Sequence, residues 1–421
     1  MVFFFQLLLN MRLIFLLSCL MIFVGVQAQS FSGTVLSADG KQPVAFASVY
    51  LSNTSIGTTT NSSGVFTFQN FPKGRFDLIV SCIGFEPYQT NVQSSNLQAI
   101  TIYLKPRNND LNEVVVQSYE KDGWSKWGKL FIETFVGTSI YAQSCTIKNT
   151  NAIRFRFNKK ENILTAFAYE PLIIENDALG YEIKYDLISY EYYIGKSLLY
   201  YSGYPFYTEM ETSRKGKIKR WNNNRNEVYI GSVMHFMRAL YRNTFEQENF
   251  ELRRLYKIPN DEKIRIKYVL KNKFKTRVIN KDKVAISGSS GAPLFENGDS
   301  STYYNRILEE PDEKSILINQ LLTGDSIAFA HDSTIAGLYF DNYIQVVYKG
   351  KSEPFEFAQQ KMQQSVNNSI TSTIYLINHK PVLITANGMY FEGTDLLFSG
   401  FWAWSEKMAT MLPFDFKPIK K

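Results

Sequence analysis

The chain of 421 residues contains little histidine and little cysteine, with three residues of each. The histidines are His235, His331 and His379, which are too few for a zinc site with three His ligands and a separate catalytic His. The sequence also has no nucleotide-binding glycine loop and no Gly-x-Ser-x-Gly nucleophile turn. We therefore expect no bound metal or other cofactor, and the sequence by itself indicates no reaction.

The overall composition is that of a folded protein with more than one domain. Hydrophobic residues make up 45% of the chain and charged residues 20%, which differs from the low hydrophobicity of disordered chains. The 26 Tyr and 32 Phe residues favour strand-rich structure. At this length two or three domains are expected.

A short apolar run lies near the N-terminus. Arg12 precedes the run Leu13–Val26, and the small residue Ala28 follows it. A basic start, a short apolar centre and small residues before the cut are typical of a secretory signal peptide. We therefore expect residues 1–28 to be a signal peptide cleaved near Ala28, with translation starting either at Met1 or at Met11.

Two alternatives remain open for this segment. Leu16–Cys19 resembles a lipobox, which would attach a lipid to Cys19, and Val2–Val26 could serve as one long anchor. Leu13–Val26 is shorter than the roughly 20 residues that span a bilayer, and no later apolar run is long enough. The sequence thus predicts an exported protein of the periplasm or the outer membrane, without a transmembrane helix after cleavage.

The cysteines of the mature chain are Cys82 and Cys145. A secreted protein that depended on disulfides would contain more of them. Alternation along Phe76–Cys82 places Cys82 on the apolar face of a strand and predicts a buried thiol. A Cys82–Cys145 bridge is the alternative.

Residues 29–105 show short strands separated by turns every eight to twelve residues, the pattern of a β-sandwich. Gly and Asn at Ala38–Gly40, Asn61–Gly64 and Pro72–Gly74 supply the turns. The predicted strands are Phe31–Leu36, Val44–Leu51, Gly57–Thr60, Val65–Phe68, Arg75–Cys82, Tyr88–Val92 and Ile100–Leu104. We therefore predict an all-β, seven-stranded sandwich.

The same region resembles a known family. The segments that carry the resemblance are Gly33–Val35, Pro43–Val49, Gly57–Asn61, Gly64–Phe68, Gly74 and Leu78–Phe85. Their order is similar to that of the carboxypeptidase regulatory-like domain, which implies a transthyretin-like (prealbumin-like) sandwich. This domain is an accessory of metallocarboxypeptidases and not their catalytic part. The catalytic part has a His followed three residues later by Glu, a pattern that none of the three histidines shows.

A linker is predicted at residues 106–120. Pro106–Asp110 is polar, and Leu111–Val116 resembles the segment that joins this sandwich to the plug of TonB-dependent outer-membrane receptors. The remaining chain is too short for the plug and membrane domain of such a receptor. We therefore favour a strand that closes the sandwich, and retain an accessory role in TonB-dependent uptake as an alternative.

Residues 121–421 are predicted to form a larger, strand-rich α+β domain. Helical spacing marks Trp124–Phe135, Lys217–Arg242 with a break near Gly231, and Phe401–Met411. Alternation predicts strands that include Lys263–Leu270, and Ser287–Glu313 is interpreted as a loop. Motifs in this half resemble the downstream region of Bacteroidota envelope proteins that carry the same sandwich, which implies export and no assigned function; they are Cys145–Asn149, Glu170–Asn176, Leu179–Tyr181, Gly231–Arg238, Gly400–Trp404 and Leu412–Phe416.

Positive charge is concentrated in residues 214–283, which hold 20 Lys and Arg against 7 Asp and Glu. Candidate anion-binding residues are Lys263, Arg265 and Lys267 on one strand face, with Ile264 and Ile266 inward, and His235, Arg238 and Arg242 on one helix face. Partners of suitable chemistry are lipopolysaccharide, an acidic glycan, an anionic lipid or an outer-membrane protein. Nucleic acid is not expected behind a signal peptide. The alternative is a solvated face, paired in part with Glu309–Glu313.

The leading hypothesis is a non-catalytic exported protein of the cell envelope with a binding or scaffolding role. One alternative is a hydrolase that acts on an envelope or glycan substrate with a site in residues 121–421, using carboxylates such as Glu170 or Glu175. A pocket with clustered carboxylates of raised pKa would favour the hydrolase.

Overall fold

The computed structural model describes residues 29–107, 119–273, 275–280, 283–287, 301–360, 368–391 and 393–419. The predicted signal peptide and the segment Leu111–Val116 lie outside these residues. The chain divides into two compact units, unit 1 ending at Val114 and unit 2 beginning at Val115. Within the described ranges, no helix has the length and apolar character needed to cross a membrane.

Unit 1 is built from two β-sheets. Its strands are β1 (Phe31–Ser37), β2 (Ser48–Leu51), β3 (Gly57–Thr59), β4 (Val65–Phe68), β5 (Arg75–Ser81), β6 (Tyr88–Gln93) and β7 (Ile100–Leu104). One sheet has the order β4-β1-β7 and the other the order β3-β2-β5-β6. Phe31 and Phe66 of the first sheet and Phe76 of the second are buried, and Phe71 packs edge-on against both Phe31 and Phe76. This aromatic core holds the two layers together as a β-sandwich.

The position of Cys82 differs from the prediction. Strand β5 ends at Ser81, and Cys82 lies beyond it as a partly buried free thiol. Leu78, Ile79 and Val80 are buried consecutively, so the alternation on which the prediction rested fails at this end of the strand. Cys145 is also a free thiol, so no bridge joins the two cysteines. Burial raises the pKa of both thiols, that of Cys145 to about 12, and neither is a reactive thiolate at neutral pH.

Unit 2 mixes helices with several sheets. The helices are α1 (Gly123–Phe131), α2 (Lys215–Tyr229), α3 (Val233–Tyr241), α4 (Asp261–Lys273), α5 (Ser301–Glu309), α6 (Phe355–Gln360) and α7 (Phe401–Ser405). The strands are β8 (Cys145–Ile147), β9 (Ile153–Asn158), β10 (Ile163–Ala168), β11 (Leu172–Asn176), β12 (Tyr181–Tyr193), β13 (Leu198–Glu209), β14 (Phe250–Pro259), β15 (Lys275–Asn280), β16 (Lys283–Ser287), β17 (Glu313–Leu321), β18 (Ala328–Ala330), β19 (Ile335–Leu338), β20 (Tyr343–Ser352), β21 (Ser369–Leu376), β22 (Val382–Thr385), β23 (Tyr390–Phe391) and β24 (Leu396–Gly400).

The first sheet of unit 2 has the order β8-β11-β12-β10-β9, with β13 paired along β12. Helix α1 and the π-helical turn after it cover this sheet with aromatic side chains. Phe131 stacks on Phe135, and Phe135 meets the ring of Tyr185 edge-on at 5.1 Å between centroids. The helical spacing from Trp124 to Phe135 thus predicted this element correctly.

The second core of unit 2 lies around a five-stranded sheet of order β17-β14-β20-β21-β24 and a four-stranded sheet of order β18-β19-β22-β23. Helix α3 packs into it with Phe236, Met237 and Leu240. Trp402 of α7 is buried, and its indole N–H donates to the carbonyl oxygen of Gly231 at 2.8 Å. The predicted break near Gly231 is confirmed, because this residue has a φ of 79° between α2 and α3.

An insertion between β14 and β17 corrects two sequence predictions. Lys263–Leu270 lies in helix α4 and is not a strand, and part of the predicted loop Ser287–Glu313 forms helix α5. Ile266 and Leu270 of α4 are four residues apart, as one helix face requires, and they are buried together with Tyr304 of α5. The third predicted helix is also shorter than expected, because α7 ends at Ser405.

Candidate functional site

His235 lies in the interior of unit 2 and is held by two hydrogen bonds. The Nδ1 atom accepts the N–H of Gly231 at 3.1 Å, and Nε2 lies 2.9 Å from Oε2 of Glu248. A ring that accepts at Nδ1 carries its proton on Nε2 and donates it to the carboxylate. Burial among Tyr229 and Phe250 lowers the pKa of His235, although Glu248 opposes this shift. His235 is therefore a neutral donor inside the fold.

Arg242, which was predicted on the same helix face as His235, also forms a hydrogen bond with the carboxylate of Glu248. Its Nη2 donates to Oε1 of Glu248 at 2.8 Å, and the hydroxyl of Thr244 donates to that oxygen as well. Partial burial works against ionisation, yet these bonds and the one from His235 keep the pKa of Glu248 below its usual value. The sequence analysis missed Glu248, although it lies in the loop between α3 and β14, within reach of residues on both sides.

Arg238 fixes the C-terminal segment. Its Nε donates to the carbonyl oxygen of Asn387 at 2.8 Å, and its Nη2 donates to those of Phe414 and Phe416 at 3.1 and 3.0 Å. The guanidinium also lies 5.3 Å from the ring centre of Tyr229. His235 and Arg238 thus lie in α3 and Arg242 at its C-terminal cap. All three side chains form hydrogen bonds within the protein: His235 and Arg242 with Glu248, and Arg238 with backbone carbonyl groups.

Lys263, Arg265 and Lys267 do not share one strand face. Lys263 and Lys267 lie one helical turn apart, and their Nζ atoms are 3.1 and 2.8 Å from Oδ1 of Asp312. The guanidinium of Arg265 donates hydrogen bonds to both carboxylate oxygens of Glu262. The expected inward orientation of Ile264 is wrong, because this side chain is exposed while Ile266 is buried. Pairing of Lys263 and Lys267 with the acidic run Glu309–Glu313 agrees with the alternative interpretation of the basic stretch.

Glu262 connects the two helices of the insertion. It accepts hydrogen bonds from Arg265 of the same helix and, at 2.8 Å, from the hydroxyl of Tyr303 on α5. The bond from Arg265, supported by that from Tyr303, lowers the pKa of Glu262 to about 2. We call α4, α5 and their buried cluster the insertion tip. Anion binding by Lys263, Arg265 and Lys267 stays a prediction, and all three form ion pairs or hydrogen bonds with carboxylates of the insertion itself.

The carboxylates considered for a hydrolase each have a nearby partner. Glu170 accepts a hydrogen bond from the amide nitrogen of Asn149 at 3.1 Å. Glu175 on β11 forms an ion pair with Lys148. Within the described ranges, no group of three or more His, Cys, Asp or Glu side chains is placed to hold a metal ion.

Glu406 is the carboxylate with the most strongly raised pKa in the described part of the chain. Burial raises its pKa to about 7, and Oε1 accepts the N–H of Val233 at 3.0 Å, at the start of α3. It lines a cavity of about 30 Å³ beside Tyr390 and Met411. A cavity of this size holds about one water molecule, so Glu406 has room for a water but not for a sugar ring.

The surface of unit 1 carries a strained aromatic residue, Phe46. Its φ of 58° lies in the left-handed region, and its side chain is 78% exposed. Buried Thr60 holds the backbone in place: its carbonyl accepts the N–H of Phe46 at 3.0 Å, and its hydroxyl accepts from Ala47 at 2.8 Å and donates to Val44 at 2.7 Å. A bulky residue in this conformation is uncommon and marks a position worth a functional explanation.

Ile83 lies at the same end of unit 1 and is 80% exposed. Strand β2 begins at Ser48 and β5 ends at Ser81, and these two residues pair with each other, so the turn of Phe46 before β2 and the turn of Ile83 after β5 lie beyond the same end of this strand pair. The turn that carries Ile83 is fixed by a hydrogen bond from the N–H of Arg107 to the carbonyl oxygen of Gly84 at 2.8 Å. We call Phe46 and Ile83 the apolar tip. The sequence analysis missed it, because single apolar residues in turns give no periodic signal.

Comparison with known proteins identifies one region of the chain. No curated protein matches the sequence. Among solved structures, a 9R-lipoxygenase from Cyanothece PCC8801 is 11% identical, with a TM-score of 0.14, and the alignment covers 52% of this chain and about half (49%) of the lipoxygenase. A likeness of this size carries no structural or functional argument. Residues 31–116 match the model of the CarboxypepD_reg-like domain, so unit 1 contains a regulatory-like β-sandwich.

Proposed function

We propose that the protein is a non-catalytic, exported binding protein of the cell envelope, and that the apolar tip of unit 1 contacts the interface of a lipid bilayer. The observation that carries this proposal is the pair of large apolar side chains, each about four-fifths exposed, on backbone that hydrogen bonds hold in place. Export is supported by the apolar N-terminal run and by the occurrence of regulatory-like domains in exported proteins.

The free energies involved favour binding in which the side chains of Phe46 and Ile83 are removed from water. Full burial of a Phe or Ile side chain contributes about 1.5–3 kcal/mol, whereas a left-handed conformation costs a non-glycine residue about 1–2 kcal/mol. In the unbound protein, the left-handed backbone of Phe46 therefore costs free energy, while its exposed side chain gains none from burial. Two inserted side chains give a weak and reversible attachment, similar in kind to a single lipid anchor.

The backbone of two cationic residues, Lys105 and Arg107, lies beside the turn that carries Ile83. The N–H of Glu86 donates to the carbonyl oxygen of Lys105 at 2.9 Å, and Arg107 is bonded to Gly84 in the turn after Ile83. A Lys or Arg near an anionic membrane contributes about 1 kcal/mol. We therefore favour a bilayer that contains anionic lipid over a neutral one.

The hydrolase and uptake hypotheses have less support. Glu170 and Glu175 pair with neighbouring side chains, and the cavity at Glu406 is of water size. The uptake hypothesis depends on Leu111–Val116, which belongs to the region matched by the family model but lies outside the described residues. Neither hypothesis has a structural observation comparable to the apolar tip.

Sedimentation of the full-length mature protein with vesicles tests the proposal. The probes are vesicles of phosphatidylcholine with and without phosphatidylglycerol. The double variant Phe46→Ser/Ile83→Ser removes the apolar tip, and Phe355→Ser/Ile264→Ser is the matched control, because it removes the same residue types from exposed positions of unit 2. We expect the first variant to lose at least about tenfold in vesicle affinity, equivalent to about 1.4 kcal/mol, and the control to bind like the wild type. Equal binding of the two variants, or no binding of the wild type to either vesicle, would overturn the proposal.

A further inference from the structure

Strand β17 forms the edge of the five-stranded sheet of unit 2. Among the described strands it pairs with β14 alone, and all 9 of its residues are exposed. The exposed side chains include Ile316, Leu317, Ile318 and Leu321. A long, exposed and apolar edge is unusual, because it presents unpaired backbone groups to other strands.

The hydrogen bonds to β14 determine which backbone groups of β17 point outward. The N–H of Asn260 donates to the carbonyl oxygen of Asp312 at 2.9 Å, and the register continues as Ile258 with Lys314 and Tyr256 with Ile316. Hydrogen-bonded and non-bonded pairs alternate in an antiparallel ladder. It follows that Lys314 and Ile316 bond to β14, as Asp312 does.

The residues between these positions have their N–H and C=O groups on the open edge. They are Glu313, Ser315 and Leu317. At the other end of the strand the N–H of Leu322 donates to the carbonyl oxygen of Leu252 at 2.9 Å, and Leu321 pairs with Arg253, which places the backbone groups of Leu321 on the open edge as well. The register shift between these two halves gives β17 two more residues than β14, at Ile318–Gln320.

The sequence of β17 is nearly symmetric about Leu317. It has Ile at both neighbouring positions, polar Ser315 and Asn319 beyond them, and Lys314 and Gln320 after those. An antiparallel copy related by a two-fold axis through Leu317 brings outward backbone groups opposite each other. It also places Ile316 opposite Ile318 of the second copy, in the close non-bonded arrangement that favours side-chain contact. No like charges face each other in this register.

We propose that β17 binds a second copy of this chain, strand against antiparallel strand, with Leu317 at the two-fold axis. The two five-stranded sheets then become one continuous sheet, and the interface is isologous. The surface of a single strand is smaller than the standard interface of about 800 Å² per partner, so the dimer is a weak one that depends on protein concentration. This inference does not depend on the lipid-binding proposal.

A proline variant tests the edge without disturbing the sheet. The N–H of Ser315 points away from β14, so Ser315→Pro removes an outward donor and blocks the edge, while Ser315→Ala keeps that donor. Sedimentation velocity of the full mature chain measures the association. We expect the wild type and Ser315→Ala to dimerise and Ser315→Pro to remain monomeric with an unchanged circular dichroism spectrum. A wild type that stays monomeric up to about 100 µM, or a folded Ser315→Pro that still dimerises, would overturn the proposal.

Charge variants test the register even if the proline variant fails to fold. Ile316→Lys/Ile318→Lys places like charges opposite each other in the proposed dimer, whereas Ile316→Lys/Ile318→Glu places opposite charges there. We expect the first pair to be monomeric and the second to form a dimer that weakens as salt increases. Equal association of the two variants would contradict the register about Leu317, and association of β17 with an unrelated polypeptide only would contradict the second copy as its partner.

Discussion

The side chain of His235 donates from Nε2 to Oε2 of Glu248 across 2.9 Å, while its Nδ1 accepts the backbone N–H of Gly231. These two bonds join the turn before α3 to the loop after it. A buried polar group with both partners satisfied contributes to stability, whereas the same group left without a partner is costly. The two hydrogen bonds of His235 therefore predict how the free energy of unfolding changes with pH.

We predict that the stabilisation due to His235 decreases on acidification. Its pKa is lowered in the folded protein, chiefly by burial. The unfolded chain therefore binds a proton first as the pH falls below about 6.5, and the free energy of unfolding falls with it. At pH 7 the variant His235→Gln is expected to lose about 1–3 kcal/mol, and this difference from the wild type shrinks at pH 5.

Urea unfolding at the two pH values measures this difference, with His331→Gln as the control because His331 is exposed. If the difference in the free energy of unfolding between the wild type and His235→Gln grew on acidification, the buried imidazole of His235 would not be neutral.

We predict the opposite pH dependence for Glu406. Its pKa is raised to about 7 by burial, so the folded protein holds this proton over a range in which the unfolded chain has lost it. The free energy of unfolding therefore falls as the pH rises from about 4.5 to 7. Glu406→Gln keeps an oxygen for the N–H of Val233 and cannot ionise. We expect it to match the wild type at pH 5 and to be more stable by about 1–3 kcal/mol at pH 8.

Thermal unfolding of the Glu406→Gln variant at the two pH values provides the measurement. Glu133→Gln is a suitable control, because Glu133 is an exposed member of a surface pair with Lys129. A Glu406→Gln variant that is less stable than the wild type at pH 8 would show that the carboxylate is ionised in the fold and has a partner.

The sequence was informative where one pattern determined one structure. The strands Val65–Phe68 and Ile100–Leu104 have the predicted bounds, because each is short and is limited by residues that favour turns. The strand predicted at Lys263–Leu270 is wrong. Its cations alternate as in a strand, but the same segment also has Ile266 and Leu270 at helical spacing. Only the contact with α5 decides between the two periods, and that contact is not local in sequence.

The environment of the candidate residues was harder to predict than their position in an element. His235 and Arg238 lie in α3, and Arg242 follows directly as its C-cap, close to the prediction of one helix. Their partners depend on how the loop that carries Glu248 and the C-terminal segment fold back on α3. Such contacts arise from tertiary packing, so neither periodicity nor local charge could reveal them.

We predict that Lys263, Arg265 and Lys267 contribute to the stability of the insertion tip. Replacing Lys263, Arg265 and Lys267 with Ser removes both ion pairs to Asp312 and the paired hydrogen bonds to Glu262. We expect faster hydrogen exchange in α4 and α5 than in the wild type, because local opening follows the loss of such contacts. Lys271→Ser, at an exposed position of the same helix, is the control.

The same variant tests the anion-binding hypothesis. Retention on lipopolysaccharide is measured together with hydrogen exchange at several salt concentrations. Loss of retention with unchanged exchange would favour a binding role for the three cations. We expect faster exchange with unchanged retention if the three cations stabilise the insertion tip and do not bind an anion.

We predict that Phe46 can be replaced without loss of stability. The side chain is 78% exposed, and its backbone has a φ of 58°. Asn tolerates this conformation better than Phe, so Phe46→Asn is expected to be as stable as the wild type or more stable by up to about 1 kcal/mol. Thr60→Val is expected to lose about 1–3 kcal/mol, because the hydroxyl of Thr60 bridges Ala47 and Val44 in the same loop. Chemical unfolding of both variants gives the comparison. Destabilisation of Phe46→Asn by more than Thr60→Val would mean that Phe46 packs within the protein, and the apolar tip would then have to be explained by folding instead of binding.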